Sequence, residues 1–234
     1  MSDTYPMRLN KYLAHKNHAT RRGADELIAD GKVLVNGKVA IVGQKVSEKD
    51  VVEVRFKPVK KHYYAYNKPR GVITHSPSED ERDIRQSVPL PGVFPIGRLD
   101  KDSSGLIILT DDGRITDKLL NPDYVHEKEY EVTTKEELRP NFKQRIEPGV
   151  DIEGYMTKPC SVEVLGSRLF TITLTEGKKH QIRRMCAALG LVVDSLKRTR
   201  IMNVHLSGLR EGEYRELTKA ELAGFLRALG MPKA

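Results

Sequence analysis

"LFTITLTEGKKHQIRRMCAALG", residues 169–190, contains strand and helix signals side by side. The first seven residues are strand-like. Beyond Gly177 the pattern changes, and Ile182, Met185, Cys186 and Leu189 fit one helical face, which predicts a helix over 180–189. Arg183 and Arg184 follow Ile182 directly, so at least one is expected at the core boundary. On pattern alone this is an amphipathic helix with a cationic outer face.

Outward from it, the chain from Tyr63 carries more strand-like segments broken by Gly and Pro: "YYAYNK", "GVITH", "GLIILT", "KEYEVT", "CSVEVL" and "IMNVHL". Helical candidates lie at 114–120 and 136–146. Thr218-Lys219-Ala220-Glu221 is a capping box opening a last helix that ends near Gly230. Many strands with few regularly spaced helices predict an α+β fold with a mixed, mainly antiparallel sheet, not βαβ repeats.

Residues 7–54 read as a separate compact unit. Leu9, Tyr12 and Leu13 share one face of a short helix. Thr20 is an N-cap for a second helix, with Leu27 and Ile28 apolar and Gly31 at its end. "KVLVNGKVAIVG" places Asn36-Gly37 as a two-residue hairpin turn, and "DVVEV" supplies another strand. "RFKPVKKH", residues 55–62, is basic and aperiodic and reads as a linker. The expected division is 1–54, linker 55–62 and a larger domain over 63–234.

The net charge of +8 in 234 residues is unevenly spread. Residues 1–61 hold 13 Lys and Arg against 7 Asp and Glu, while the remaining 173 hold 27 against 25. A basic N-terminal module facing a polyanion is one reading, and a solvated charged face the other. No apolar run approaches the ~18–20 residues that span a bilayer, and "MSDTYPMRLNK" lacks the apolar core of a signal peptide. Cys160 and Cys186 form no CxxC pair and read as thiols of a reducing cytoplasm.

Common catalytic signatures are missing: no Walker A loop, no GxGxxG after a strand, no HExxH and no GxSxG. His15 and His18 lack a carboxylate or Cys to complete a zinc pattern, so neither metal nor cofactor is expected. Asp100 and Asp102 are two carboxylates in one loop, a spacing that does not by itself aim them at one bond. Taken alone, Asp100 reads as a turn residue.

A resemblance changes this reading. "MRLNKYLA…TRRGADELIADGKVLVNGKVA…KVSEKDVVEV" resembles the S4 RNA-binding module, which implies phosphate contacts for Arg8, Arg21 and Arg22. "NKPRGV" (67–72), "FPIGRLDKDSSGLIILTDDG" (94–113), "HEKEY" (126–130) and "GKKHQIRRMCAALG" (177–190) follow the motif order of pseudouridine synthases, and the chain is similar to the RsuA-type family, which joins an S4 module to a catalytic domain with a central cleft. The tail "LKRTRIMNVHLSGLREGEYRELT" (196–218) looks like the branch acting on large-subunit ribosomal RNA. The resemblance implies Asp100 as catalytic carboxylate, Arg183 as its partner and Tyr130 as the ring packed on the target base. It also implies substrate or RNA contacts for Arg98, Lys68 and Arg184.

The implied activity is isomerisation of a ribosomal RNA uridine by a cytoplasmic monomer without a cofactor. Small-subunit ribosomal RNA and transfer RNA are the alternative substrates. Rival readings are a catalytically silent RNA-binding assembly protein and, disfavoured by the basic module, a glycoside hydrolase using Asp100 and Asp102.

Overall fold

The computed structural model describes residues 4–55, 60–74, 83–121 and 123–231. In the N-terminal part, β1 (Met7–Arg8) runs straight into α1 (Leu9–His15), which buries Leu9 and Leu13. The Thr20 hydroxyl accepts from the Gly23 amide at 3.1 Å and caps α2 (Arg21–Ala29), which buries Ala24 and Ile28. Four short strands follow: β2 (Val33–Val35), β3 (Lys38–Val39), β4 (Lys45–Val46) and β5 (Val52–Val54). Asn36 and Gly37 take φ of 52° and 76°, the left-handed pair that a tight hairpin between β2 and β3 requires. β2 also pairs β5, and β1 pairs β4, a contact without a local sequence signal.

The larger part begins with β6 (Tyr63–Lys68), α3 (Ile84–Ser87), β7 (Phe94–Ile96) and β8 (Ser104–Thr110). Then come α4 (Ile115–Leu120), β9 (Lys128–Thr134), α5 (Phe142–Ile146), β10 (Ser161–Val164) and β11 (Leu169–Leu174). The chain finishes with α6 (Gln181–Ala188), β12 (Val193–Ile201), β13 (Val204–His205), β14 (Tyr214–Glu216) and α7 (Lys219–Ala228). The fold is α+β. One sheet runs in the order β10-β11-β9-β12-β8-β6-β14, with β7 on β8 and β13 on β12. Every pairing in it is antiparallel except β12 with β8, a short parallel ladder of Lys197 with Ser104 and Arg198 with Gly105.

That short ladder is a seam between two cores. On one side α4 and α7 cover Tyr63, Ala65, Leu106 and Ile108, while the opposite face of the same strands packs Tyr66, Ile107 and Leu109 on Ile84, Val88 and Leu99. Beyond the seam α5 and α6 pack on β9, β10 and β11 around Phe142, Phe170, Ile172, Met185 and Cys186. α7 opens with a capping box: Glu221 takes the Thr218 amide at 2.8 Å and returns its own amide to the Thr218 hydroxyl at 3.2 Å. The Arg215 fork on Glu221, both contacts 2.7 Å, holds that carboxyl down to about 2.

Two expectations shift. The helix expected over 136–146 forms only at Phe142–Ile146. Pro140 disfavours helical backbone at Arg139, and Thr134 Oγ1 already donates to the Glu136 carbonyl at 2.7 Å. "GVITH" yields only the isolated bridge Ile73–Asp83 within its described residues, and His75 lies outside them. Residues 56–59 of the expected linker also lie outside the described residues. The two parts touch directly: Arg114, clamped by Asp112 at 2.7 and 2.6 Å, donates from Nη1 to the Asn17 carbonyl at 3.0 Å.

Candidate active site

Gly97, at φ of 82°, turns the chain out of β7, and β8 begins at Ser104. The loop between them carries Asp100, and each of its five backbone carbonyls from residue 98 to 102 is taken by a donor. Arg198 Nη1 reaches the Arg98 carbonyl at 3.4 Å and Thr74 Oγ1 the Leu99 carbonyl at 2.8 Å. The Ser103 amide takes the Asp100 carbonyl at 3.0 Å, and the Gly71 amide takes that of Lys101 at 2.8 Å. Arg183 Nη2 donates to the Asp102 carbonyl at 3.2 Å. A loop pinned in this way presents the Asp100 side chain from a fixed backbone, with that side chain 40% exposed.

Arg183 therefore holds the loop rather than the carboxylate, its Nη1 going to the Val193 carbonyl at 3.1 Å. The described ion partner of Asp100 is His180, whose Nδ1 lies 3.2 Å from Oδ2. His180 precedes α6 with φ of 51°, a left-handed backbone in which histidine, like asparagine and aspartate, is enriched among non-glycine residues. Buried Glu176 anchors the start of this helix. Its carboxylate accepts from Gln181 Nε2 at 2.8 Å, the Lys158 amide at 2.9 Å and the Tyr155 hydroxyl at 2.7 Å. Burial pushes the Glu176 carboxyl upward, but these bonds together hold it below the usual range.

Tyr130, half-buried on β9, stands opposite Arg198 of β12 and packs in the same apolar cluster as Leu99. Arg198 is only 4% exposed. Its Nε donates to the Leu106 carbonyl at 2.7 Å, and its guanidinium carbon lies 6.0 Å from the centre of the Tyr130 ring. Nη2 is buried without a hydrogen-bond partner among the described residues, a cost the ring contact partly offsets. One guanidinium thus ties together β8, the Asp100 loop and the tyrosine.

Two lysines flank it, one buried and one half-buried. Lys68, fully buried on β6, donates to the Pro69 and Val72 carbonyls at 2.9 and 2.7 Å. Burial pushes its ammonium down to about 8, with Asp100 acting most strongly in the opposite sense. Lys128 on β9 is pushed down to about 8 by burial and then by Arg198.

The residues expected from sequence divide into groups. Asp100, Arg183 and Tyr130 converge around one loop, with Lys68 beneath it, held by backbone carbonyls. The Arg98 side chain is exposed beside them. Arg184 turns away, donating to the Ile152 carbonyl at 2.7 Å and to Glu153 at 2.8 Å. Arg8, Arg21 and Arg22 are exposed on the N-terminal part. Sequence reasoning missed His180, Lys128 and Arg198. His180 stands inside the quoted "KKHQIRRM" stretch, but nothing local pairs it with a carboxylate 80 positions away.

A carboxylate on a rigid loop, an aromatic ring and buried cations suit chemistry on a flat heterocycle within a polyanion, and the comparisons specify that chemistry. The RNA pseudouridylate synthase model matches residues 62–188, and the S4 domain model matches residues 7–52. The chain belongs to the RNA pseudouridylate synthase family and carries an S4 domain ahead of the catalytic part.

Among curated relatives, the dual-specificity RNA pseudouridine synthase RluF of Escherichia coli strain K12 is 41% identical, covering 95% of this chain and 79% of that protein. Ribosomal large subunit pseudouridine synthase B of Bacillus subtilis is 38% identical, covering 95% and 96%. A solved pseudouridylate synthase structure aligns with a TM-score of 0.69 at 32% identity, covering 95% of this chain and 99% of that one.

Proposed function

We propose that this enzyme converts a specific uridine of large-subunit ribosomal RNA to pseudouridine, with Asp100 as the catalytic carboxylate. The single observation supporting the site is the pinned loop of residues 98–102, which offers one carboxylate to solvent beside Tyr130 and Arg198. Support for the substrate comes from the relatives, one of which bears the large ribosomal subunit in its name.

The reaction breaks N1–C1′, rotates the base and joins C5 to C1′; the C5 proton leaves and N1 gains one. Nothing is added overall and no electrons are exchanged. Asp100 acts as an ionised group, attacking the sugar carbon or the base or accepting a sugar proton. Tyr130 receives the face of the displaced base, and such stacking returns ~1–3 kcal/mol against an unstacking cost of a few kcal/mol. Arg183 and Arg198 fix the loop backbone, and the Arg98 side chain contacts the displaced nucleotide.

In this reading the enzyme is a cytoplasmic monomer, since one chain supplies both the RNA anchor and the site, with residues 1–54 as the anchor, 55–62 as linker and 63–234 as the catalytic domain. Arg8, Arg21 and Arg22 contact phosphates. Replacing Arg21 and Arg22 together by Ala is expected to flatten the slope of log K against log salt by about 1–2, because each neutralised phosphate contributes ~0.7–0.9. Binding titrations across a salt series check this, and an unchanged slope removes both residues from the interface.

Pseudouridine mapping of total RNA from cells with and without the protein tests the substrate. Loss of a modification in large-subunit ribosomal RNA is the expected result. Loss confined to small-subunit ribosomal RNA or transfer RNA overturns the assignment, and no loss anywhere overturns the activity in cells.

A further inference from the structure

We infer that the turn of residues 111–114 docks the S4 domain onto the catalytic part, and that Gly113 and Arg114 are positioning residues that decide which uridine reaches the site. This rests on the reading of Asp100 as the catalytic carboxylate and of the S4 domain as the RNA anchor. The turn lies at the opposite end of β8 from the Asp100 loop and is itself held firmly. Asp112, 1% exposed, takes the Tyr63 hydroxyl at 2.6 Å and the Arg114 fork at 2.7 and 2.6 Å. Asp111 takes the His62 amide at 2.8 Å, which fixes the chain just ahead of β6.

From this base the turn meets the S4 domain at two points. Arg114 Nη1 donates to the Asn17 carbonyl at 3.0 Å. Gly113 comes so close to Thr20 that a Cβ on it would stand 2.7 Å from Thr20 Cγ2. Burial and then the Arg114 charge push the His18 imidazole below its usual value, as a close approach of the two parts requires. Thr20 caps α2, and Arg21 and Arg22 open that helix, so the contact sits directly beside two of the phosphate arginines. β8 is seven residues long and paired with β6, β7 and β12. It is therefore a stiff spacer of about 20 Å between the docked anchor and the Asp100 loop. RNA gripped by the anchor offers the carboxylate one place along its path.

Gly113→Ala and Thr20→Ser test the contact. The φ of Gly113 lies outside the left-handed region, so an alanine there meets only Thr20 and, at an ordinary 3.7 Å, Phe94. Thr20→Ser removes Cγ2 and keeps the hydroxyl that caps α2. Each variant is incubated with deproteinised total RNA from cells lacking the protein, and pseudouridines are mapped over time. The readout is selectivity, the rate at the main site divided by the summed rate at all other uridines. Loss of folded enzyme scales both rates and leaves the ratio unchanged. Gly113→Ala is expected to lower the ratio roughly tenfold, because the anchor no longer presents RNA at a fixed distance. Adding Thr20→Ser to it should restore the ratio to within about twofold of wild type, since the clash is gone. Thr20→Ser alone should match wild type. Arg114→Lys keeps a cation on Asp112 but cannot hold both carboxylate oxygens and the Asn17 carbonyl at once, and it should lower the ratio as Gly113→Ala does.

An unchanged ratio in Gly113→Ala overturns the inference, as does a lowered ratio that Thr20→Ser fails to restore. An unchanged ratio in Arg114→Lys removes Arg114 from it. Replacing Arg21 and Arg22 together by Ala in the same assay separates docking from the reading beneath it. Wild-type rates and ratio in that variant show that the S4 domain is not the anchor. A defect there beside an unchanged Gly113→Ala removes only the docking.

Discussion

Asp100→Asn abolishes pseudouridine formation in the expected result, with the single-turnover rate falling by at least ~10³-fold. RNA affinity stays within a few-fold. Each route open to the carboxylate needs its negative charge, which the isosteric amide lacks. The substitution leaves the loop intact, since the hydrogen bonds that pin residues 98–102 run through backbone carbonyls and the Leu99 amide rather than through the Asp100 side chain. With the proposed phosphate contacts of Arg8, Arg21 and Arg22 supplying affinity elsewhere, binding and turnover are expected to separate. Mass spectrometric detection of pseudouridine after prolonged incubation is the measurement, and wild-type turnover in the variant would sink the mechanism.

The second large effect concerns stability. Gly105→Ala places a Cβ against the carbonyl oxygen and the nitrogen of Arg198, at a φ of 107° that side-chain-bearing residues rarely adopt. The obstruction is backbone in the middle of a sheet, so no rotamer change relieves it. Either the β8–β12 ladder opens or Gly105 leaves its conformation. Both outcomes also displace Arg198, whose guanidinium holds the Leu106 carbonyl and stands by Tyr130. A loss of about 3 kcal/mol or more is expected, the range that accompanies backbone strain with a broken buried network. Urea titration followed by circular dichroism measures it, and a midpoint matching the wild type would show that the seam can absorb the methyl group.

Local chemistry made much of the fold legible. Thr20, Asn36-Gly37 and Thr218–Glu221 act through hydrogen bonds and backbone preferences within a few residues, and each appears where those preferences place it. β12 was harder to see. "VDSLKRTRI" looks polar because Lys197, Arg198 and Arg200 interrupt its apolar positions, and Arg198 is buried against the Leu106 carbonyl and the Tyr130 ring. Pro140 shortened a helix that periodicity alone extended. Within the candidate site, Asp100, Tyr130 and Arg183 were legible only through motif order. Geometry then gave Arg183 to backbone carbonyls and placed His180 against the carboxylate. A contact across 80 residues depends on how two cores meet, and no window of sequence contains that.

The seam has a consequence for the life of the chain. Asp100 and Lys68 lie on one side of the seam, His180 and Arg183 on the other, and Tyr130 packs against both; a two-residue parallel ladder, apolar contacts and a few side-chain bonds join the halves. On the proposed assignment of the site, neither half possesses a reaction centre of its own. Turnover is therefore a coincidence signal, available only to molecules in which both cores have formed and met in register.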